Sequence, residues 1–121
     1  MSDKFSKKSR HIFDRLFEVI EHRRTELPPD SYTSSLFRGG IEMIAAKLSE
    51  ETEELIESAN TTLHCVNGEA AKNHLIHEAA DLMYHFLVLL AARNVTLYEV
   101  ERELERRFGV SGLTEKATRE R

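Results

Sequence analysis

Cysteine is almost absent from this chain. Cys65 is the only one, so no internal disulfide can form and a reducing compartment is the simplest setting. Two prolines and five glycines leave few natural breaks, which predicts long helices. Long apolar runs are missing too. The longest strong one, Phe86 to Ala92, is far too short to cross a membrane. Met1 to Arg10 is polar and basic and lacks the apolar block of a signal peptide. There is no basic surplus either. A net charge of −4 argues against general nucleic-acid binding, which needs a basic face. It leaves room for a phosphorylated small molecule, because a divalent cation reverses the local sign. The expectation is a cytoplasmic protein with neither a nucleic-acid nor a membrane partner. No window shows strand alternation, and no repeat or low-complexity linker stands out.

What is present is ordinary globular material, 40% apolar and 31% charged over 121 residues. That length suits a single domain, residues 1–121, with 1–10 expected to be a flexible extension. Ile12, Phe13, Leu16, Phe17, Val19 and Ile20 recur at helical spacing and predict a first helix from about His11 to Arg24, ended by Pro28 and Pro29. Asp30 to Ser34 reads as a polar connector, and Gly39-Gly40 as punctuation. A second helix is expected from about Ile41 to Leu63, with Ile41, Ile44, Leu48, Leu55 and Ala59 facing the core. Asn67-Gly68 marks a turn. A third helix from about Ala70 to Ala92 carries Leu75, Ala79, Met83, Phe86 and Leu90. Thr96 and Glu99 resemble a capping box opening a fourth, and Gly109 suits the position just past its end. The architecture left is all-α, helices packed on helices.

The chemical signal is acidic. Glu50-Glu51-Thr52-Glu53-Glu54 is followed by Glu78-Ala79-Ala80-Asp81. With Leu48 at the centre of the apolar arc, Lys47, Glu51, Glu54 and Ser58 form a flanking stripe, whereas Glu50, Glu53 and Glu57 point to water. On the third helix His74, Glu78, Asp81 and His85 form the matching stripe. Antiparallel packing, favoured by the short connection, lets the stripes face one another. A glutamate run is usually a solvated face, and one E-x-x-E pair occurs often by chance. Two pairs, each beside an apolar stripe on consecutive helices, are much harder to dismiss. Four converging carboxylates call for cations, and Mg²⁺ or Mn²⁺ are the ions that prefer oxygen ligands and bind phosphates. His74 and His85 are better read as supporting or surface groups, and Tyr84 and Phe86 as core. Lys47 can pair with Glu51 or meet a phosphate.

The pattern E-E-x-x-E (Glu50, Glu51, Glu54) followed by E-x-x-D (Glu78, Asp81) is similar to the signature of the MazG-like all-α nucleotide pyrophosphohydrolases. Three further stretches narrow the resemblance. Ser31-Tyr32-Thr33 with Leu36-Phe37, Gly40 and Lys47-Leu48 resembles the lead-in of phosphoribosyl-ATP pyrophosphohydrolases. His74 to Ala92 reads almost as that family's central helix. The tail from Arg106 through Ser111-Gly112-Leu113 to Glu115-Lys116-Ala117 and Arg119 looks like its C-terminus. Ala46, Ser49 and Thr52 stand where the family often has lysine, glycine and alanine, and none of these departures removes a carboxylate.

The resemblance implies a stand-alone four- to five-helix bundle, oligomeric, most simply a dimer. It implies hydrolysis of phosphoribosyl-ATP to phosphoribosyl-AMP and pyrophosphate, the second step of histidine biosynthesis. Glu51, Glu54, Glu78 and Asp81 would be the metal ligands, and Glu50, Glu51 and Glu54 the catalytic carboxylates, with Glu50 as base or orienting group. Lys47, Lys116 and Arg119, with the hydroxyls of Ser31 and Thr33, would bind substrate. A house-cleaning nucleoside triphosphate pyrophosphohydrolase would need the same carboxylates without the flanking motifs. A purely structural helical module would need neither.

Overall fold

The computed structural model describes residues 11–64 and 68–109, and among them four helices and no strand. Helix α1 spans Ile12–Glu26, α2 Tyr32–Leu63, α3 Glu69–Ala92 and α4 Leu97–Phe108. Each start has a local cause. His11 caps α1 through its ring, which accepts from the Phe13 N–H at 3.3 Å. Asp14 in the first turn and Arg23 and Arg24 in the last complement the helix dipole. Leu27 then closes α1 in the left-handed region, at φ 49°, and Pro28 supplies no N–H to continue it. At α4, Thr96 and Glu99 form the complete capping box.

Two boundaries differ from the sequence reading. Asp30 to Ser34 is not all connector: Ser31 is the N-cap of α2, its hydroxyl accepting from the Ser34 N–H at 3.1 Å. The helix therefore starts at Tyr32, well before Ile41. Gly40 sits inside it at φ 84°, ψ −177°, a conformation open essentially only to glycine. The glycine kinks α2 rather than opening it. Gly109 follows α4 as expected, but its φ of −73° is not left-handed. There, an added Cβ would lie 2.7 Å from the Glu105 carbonyl oxygen, so close approach is what suits glycine.

The core lies at one end of the α2–α3 hairpin. Phe17 and Ile20 of α1 meet Leu36 and Ile44 of α2, Leu87, Val88 and Ala91 of α3, and Leu97 of α4. Each fully buried aliphatic side chain contributes roughly 1.5–3 kcal/mol. Helices α2 and α3 pair most extensively, α1 packs on both, and α4 touches the rest only lightly. Arg24 of α1 reaches Asn94 in the α3–α4 turn at 2.8 Å. The hairpin is antiparallel, because Tyr32 meets His85 while Ser58 meets His74.

The apolar arcs expected at the centre of the seam do not occupy it. The buried line of α2 runs through Ile44, Glu51 and Ser58, and that of α3 includes Glu78 and His85. Ile41 is exposed, and Leu48, Leu55, Ala59, Leu75, Ala79, Met83, Phe86 and Leu90 are half-buried flanks. Hydrophobic patterning assumes that charge faces water; in the distal half of this hairpin, Glu51, Ser58 and Glu78 take the seam instead. Helix α3 also departs from the expectation based on uninterrupted runs. Its length, with a mean hydropathy of 1.4 over its most apolar stretch, reaches what a membrane span requires. It nevertheless carries Glu78 and Asp81, groups that are costly in hydrocarbon, and it pairs with α2 and α1.

Candidate metal centre

The acidic cluster forms where Glu51 and Glu54, one turn apart on α2, meet Glu78 of α3. Carboxylate oxygens of Glu51, Glu54 and Glu78 all lie within 4.8 Å of one another. A second group, His77, Glu78 and Asp81, is equally tight and shares Glu78. The four carboxylates singled out by helical spacing are thus linked through one residue. Glu51 and Glu78 are both only 7% exposed, and Glu54 is the most exposed of its trio. Glu50, Glu53 and Glu57 face outward as expected.

Two oxygens carry the chemical argument. Oε1 of Glu51 and Oε1 of Glu78 are buried with no hydrogen-bond partner. A buried carboxylate oxygen left unpaired costs several kcal/mol of lost solvation. Two carboxylates this close, if both are ionised, repel by about 3–4 kcal/mol at an effective dielectric constant of 20. Against a total stability of roughly 5–15 kcal/mol, that is too much to leave uncompensated. A divalent cation accepting oxygen ligands resolves both problems at once. The residues present therefore fit a hard cation.

The surrounding groups orient this set. His74 Nε2 lies 3.2 Å from Glu78 Oε2. Because an ionised carboxylate only accepts, that nitrogen carries the proton, leaving Nδ1 to accept from the Ser58 hydroxyl at 3.0 Å. His77 stands in the same i−4 relation to Asp81, at 3.3 Å. His85 is buried: its Nδ1 donates to the Asp81 carbonyl at 2.8 Å, and its Nε2 accepts from the Tyr32 hydroxyl at 2.9 Å. His74 and His85 are thus supporting groups, and His85 is no surface residue. Beside His74 opens a polar cleft of about 470 Å³ lined by Glu54, Glu57, Ser58, Thr61, His74 and Glu78.

Charge follows the geometry. Loss of solvation, then the neighbouring charges of Glu51 and Glu78 and a hydrogen bond with Glu78, push the Glu54 carboxyl above its ordinary range. Lys47 pairs with Glu50 at 3.1 Å rather than with Glu51, because i,i+3 spacing brings the outward glutamate within reach. That hydrogen bond holds the ammonium pKa above its usual value. Burial raises the Tyr32 phenol, opposed by Lys47 and reinforced by Glu51, Glu50 and Asp81.

Ser31 and Thr33 already have intramolecular partners: the Ser31 hydroxyl caps α2 and that of Thr33 bonds the Tyr84 hydroxyl. Tyr84, expected in the core, is half-buried and ties α3 to the start of α2. Lys116, Arg119 and Cys65 lie outside the described residues. The sequence reading names neither His77 nor Tyr32 as a site residue, although Tyr32 belongs to one of the stretches that carry the resemblance. A legible sign existed for His77, which repeats four residues before Asp81 the relation of His74 to Glu78. Tyr32 was hidden by its assignment to a connector.

Comparison with known proteins agrees with this chemistry. Residues 13–108 match the family described as phosphoribosyl-ATP pyrophosphohydrolase, a match that stops short of Lys116 and Arg119. A phosphoribosyl-ATP pyrophosphatase of Rhodopirellula baltica is 49% identical over 88% of this chain and 84% of its own. The enzyme of that name from Trichlorobacter lovleyi is 43% identical over 92% and 95%, and that from Paracoccus denitrificans 49% over 87% and 90%.

Proposed function

The chain belongs to the phosphoribosyl-ATP pyrophosphohydrolase family, and we propose that it hydrolyses phosphoribosyl-ATP to phosphoribosyl-AMP and pyrophosphate, the second step of histidine biosynthesis. The observation that carries the reading is the pair of buried, unpartnered oxygens on Glu51 and Glu78. Glu51, Glu54, Glu78 and Asp81 would hold Mg²⁺, with Mn²⁺ as the natural substitute. When bound, the metal neutralises triphosphate charge and favours an attacking water.

The chain's own side chains do the rest. His74 and His77 hold the carboxylates of Glu78 and Asp81 from one helical turn before each. Glu50, exposed and paired with Lys47, would be the base that takes a proton from water or the group that orients a ligand. Lys47 can leave Glu50 for a phosphate oxygen, where charge grows on the departing pyrophosphate. Lys116 and Arg119, with Ser31 and Thr33, are proposed to hold the second ribose phosphate.

The protein works as a cytoplasmic homo-oligomer, most simply a dimer. Half-buried Leu48, Leu55, Met83 and Phe86, with exposed Ile41 and Ile56, leave apolar surface along the hairpin for a second copy. The test is pyrophosphate release from phosphoribosyl-ATP, ATP and dCTP, with and without Mg²⁺. Fast, metal-dependent release from the first alone is expected. Equal cleavage of all three would replace this reading with a general nucleoside triphosphate pyrophosphohydrolase.

A further inference from the structure

Metal and phosphate contacts account for one end of a nucleotide substrate and leave its base without a partner. The aromatic side chains near the cluster decide what remains. Phe13, Phe17, Phe37 and Phe86 pack in or against the core, while Tyr98 and Phe108 belong to α4. Tyr32 differs from them. It is 49% exposed, yet its hydroxyl is fixed to the buried His85 at 2.9 Å. His85 in turn bonds the backbone carbonyl of Asp81 at 2.8 Å, so the Tyr32 hydroxyl is one side chain away from a member of the acidic cluster. One side of the Tyr32 ring is roughly parallel to Tyr84, with centroids 6.2 Å apart and 26° between planes. The edge contact with His85 supports the ring at a second point, 5.9 Å centroid to centroid.

This construction is unusual for a merely exposed residue. An exposed tyrosine normally samples several rotamers, and ordering it costs side-chain entropy. Here the cost is met in the folded protein before any ligand arrives: His85 is itself locked by the Asp81 carbonyl, and the Tyr32 hydroxyl is locked by His85. The result is a rigid aromatic surface with one side free, next to a phosphate-handling site. Such a surface is what a planar heterocycle stacks on.

We propose that Tyr32 recognises the purine of the substrate, its free ring face stacking on the base while the triphosphate engages the carboxylate cluster. His85 acts through Tyr32 as a positioning residue. The proposal rests on the function proposed above and adds a specificity determinant to it. Because the contact is made to the base alone, it strengthens binding of nucleotides and leaves inorganic polyphosphates untouched.

The experiment uses the full chain with Mg²⁺ and compares KM for phosphoribosyl-ATP with the inhibition constant of inorganic tripolyphosphate, which carries the phosphates without a base. Tyr32→Leu should raise KM by roughly 5- to 100-fold, the range for loss of one base–aromatic stack, and leave inhibition by tripolyphosphate unchanged. Tyr32→Phe keeps the ring and should retain most of the affinity. The chain has no tryptophan, so Tyr32→Trp introduces a single reporter, whose fluorescence phosphoribosyl-AMP should quench and tripolyphosphate should not. Equal weakening of substrate and tripolyphosphate by Tyr32→Leu would overturn the stacking role. So would an unchanged KM accompanied by a shift in oligomer mass, which would place the ring against a second copy. If the unaltered protein neither turns over phosphoribosyl-ATP nor binds tripolyphosphate, the proposed function itself fails and this inference falls with it.

Discussion

Glu51 and Glu78 approach one another across the α2–α3 seam, with a carboxylate oxygen of each within 4.8 Å, and each keeps a buried Oε1 without a partner. Two helices do not gain stability by bringing unpaired acids together. The arrangement makes sense as a ligand set whose compensation comes from outside the chain.

Position along the helix, not acidity, should then decide which glutamates matter. Glu51→Gln, Glu54→Gln, Glu78→Gln and Asp81→Asn should each lower turnover of phosphoribosyl-ATP by at least about 10- to 100-fold, the loss typical even for residues that only support a ligand. Glu53→Gln and Glu57→Gln, which point outward, should stay within a few-fold of the parent. Similar losses across all six would show that overall negative charge, rather than the seam, is what the enzyme uses.

The same geometry sets how the protein responds to metal. At a Mg²⁺ concentration about 100 times the dissociation constant, binding adds about 2.7 kcal/mol of stability, a rise in melting temperature on the order of 10 °C. Chelation should remove it. Glu51→Gln should abolish the response while leaving the metal-free protein no less stable, since it deletes one member of a repelling pair. A metal-insensitive melting curve for the parent protein would contradict the ligand assignment.

Much of this was legible from spacing. The four helices, their caps at Thr96 and the end of α4, and the meeting of Glu51 and Glu54 with Glu78 follow from period and short connections, while Asp81 joins that trio only through Glu78. The start of α2 was not, because Ser31, Thr33, Ser34 and Ser35 carry no apolar rhythm and the glycine pair resembled a boundary. Nor was the identity of the seam. Leu48 and Ala79 are more apolar than Glu51 and Glu78, and only the paired helix shows that the acids lie between them. The His85–Tyr32 bond joins residues far apart in the chain, and no local pattern announces such a contact.

Gly40 permits a direct check on the backbone. An added Cβ there meets nothing within 4 Å, so Gly40→Ala tests conformation alone. With φ at 84° it should cost about 1–3 kcal/mol, read as a lower urea midpoint at unchanged slope. Gly39→Ala should be milder although its Cβ meets the Met43 side chain, because that thioether is flexible and 40% exposed. A larger loss at Gly39 would mean that crowding, not the kink, governs this region.

The acid limb of stability should carry a signature from α4. Hydrogen bonds from Arg106 and Arg107 hold the Glu103 carboxyl at about 2, against an ordinary 4.5. A carboxyl whose pKa is lowered by folding stabilises the fold above its unfolded value and loses that contribution as pH falls. The window therefore runs from about 4.5 down to about 2. Glu103→Gln should flatten the fall in helicity across that window, with little change in the amide signals of α2 and α3. An unaltered acid titration would show the ion pairs to be energetically idle, as exposed pairs often are.

The bend in α2 also bears on how such a chain can diversify. At roughly 100° per residue, an unbroken helix would set Ser34 and Glu51 about 100° apart around its axis, yet both are buried. The glycine acts as a phase reset between two segments that answer to different neighbours. Substitutions before it can re-aim the tyrosine end without rotating Glu51 and Glu54 away from Glu78. On the roles proposed above, base recognition and hydrolytic chemistry would fall on either side of one bend in a single helix, joined through α3 by His85 and Asp81.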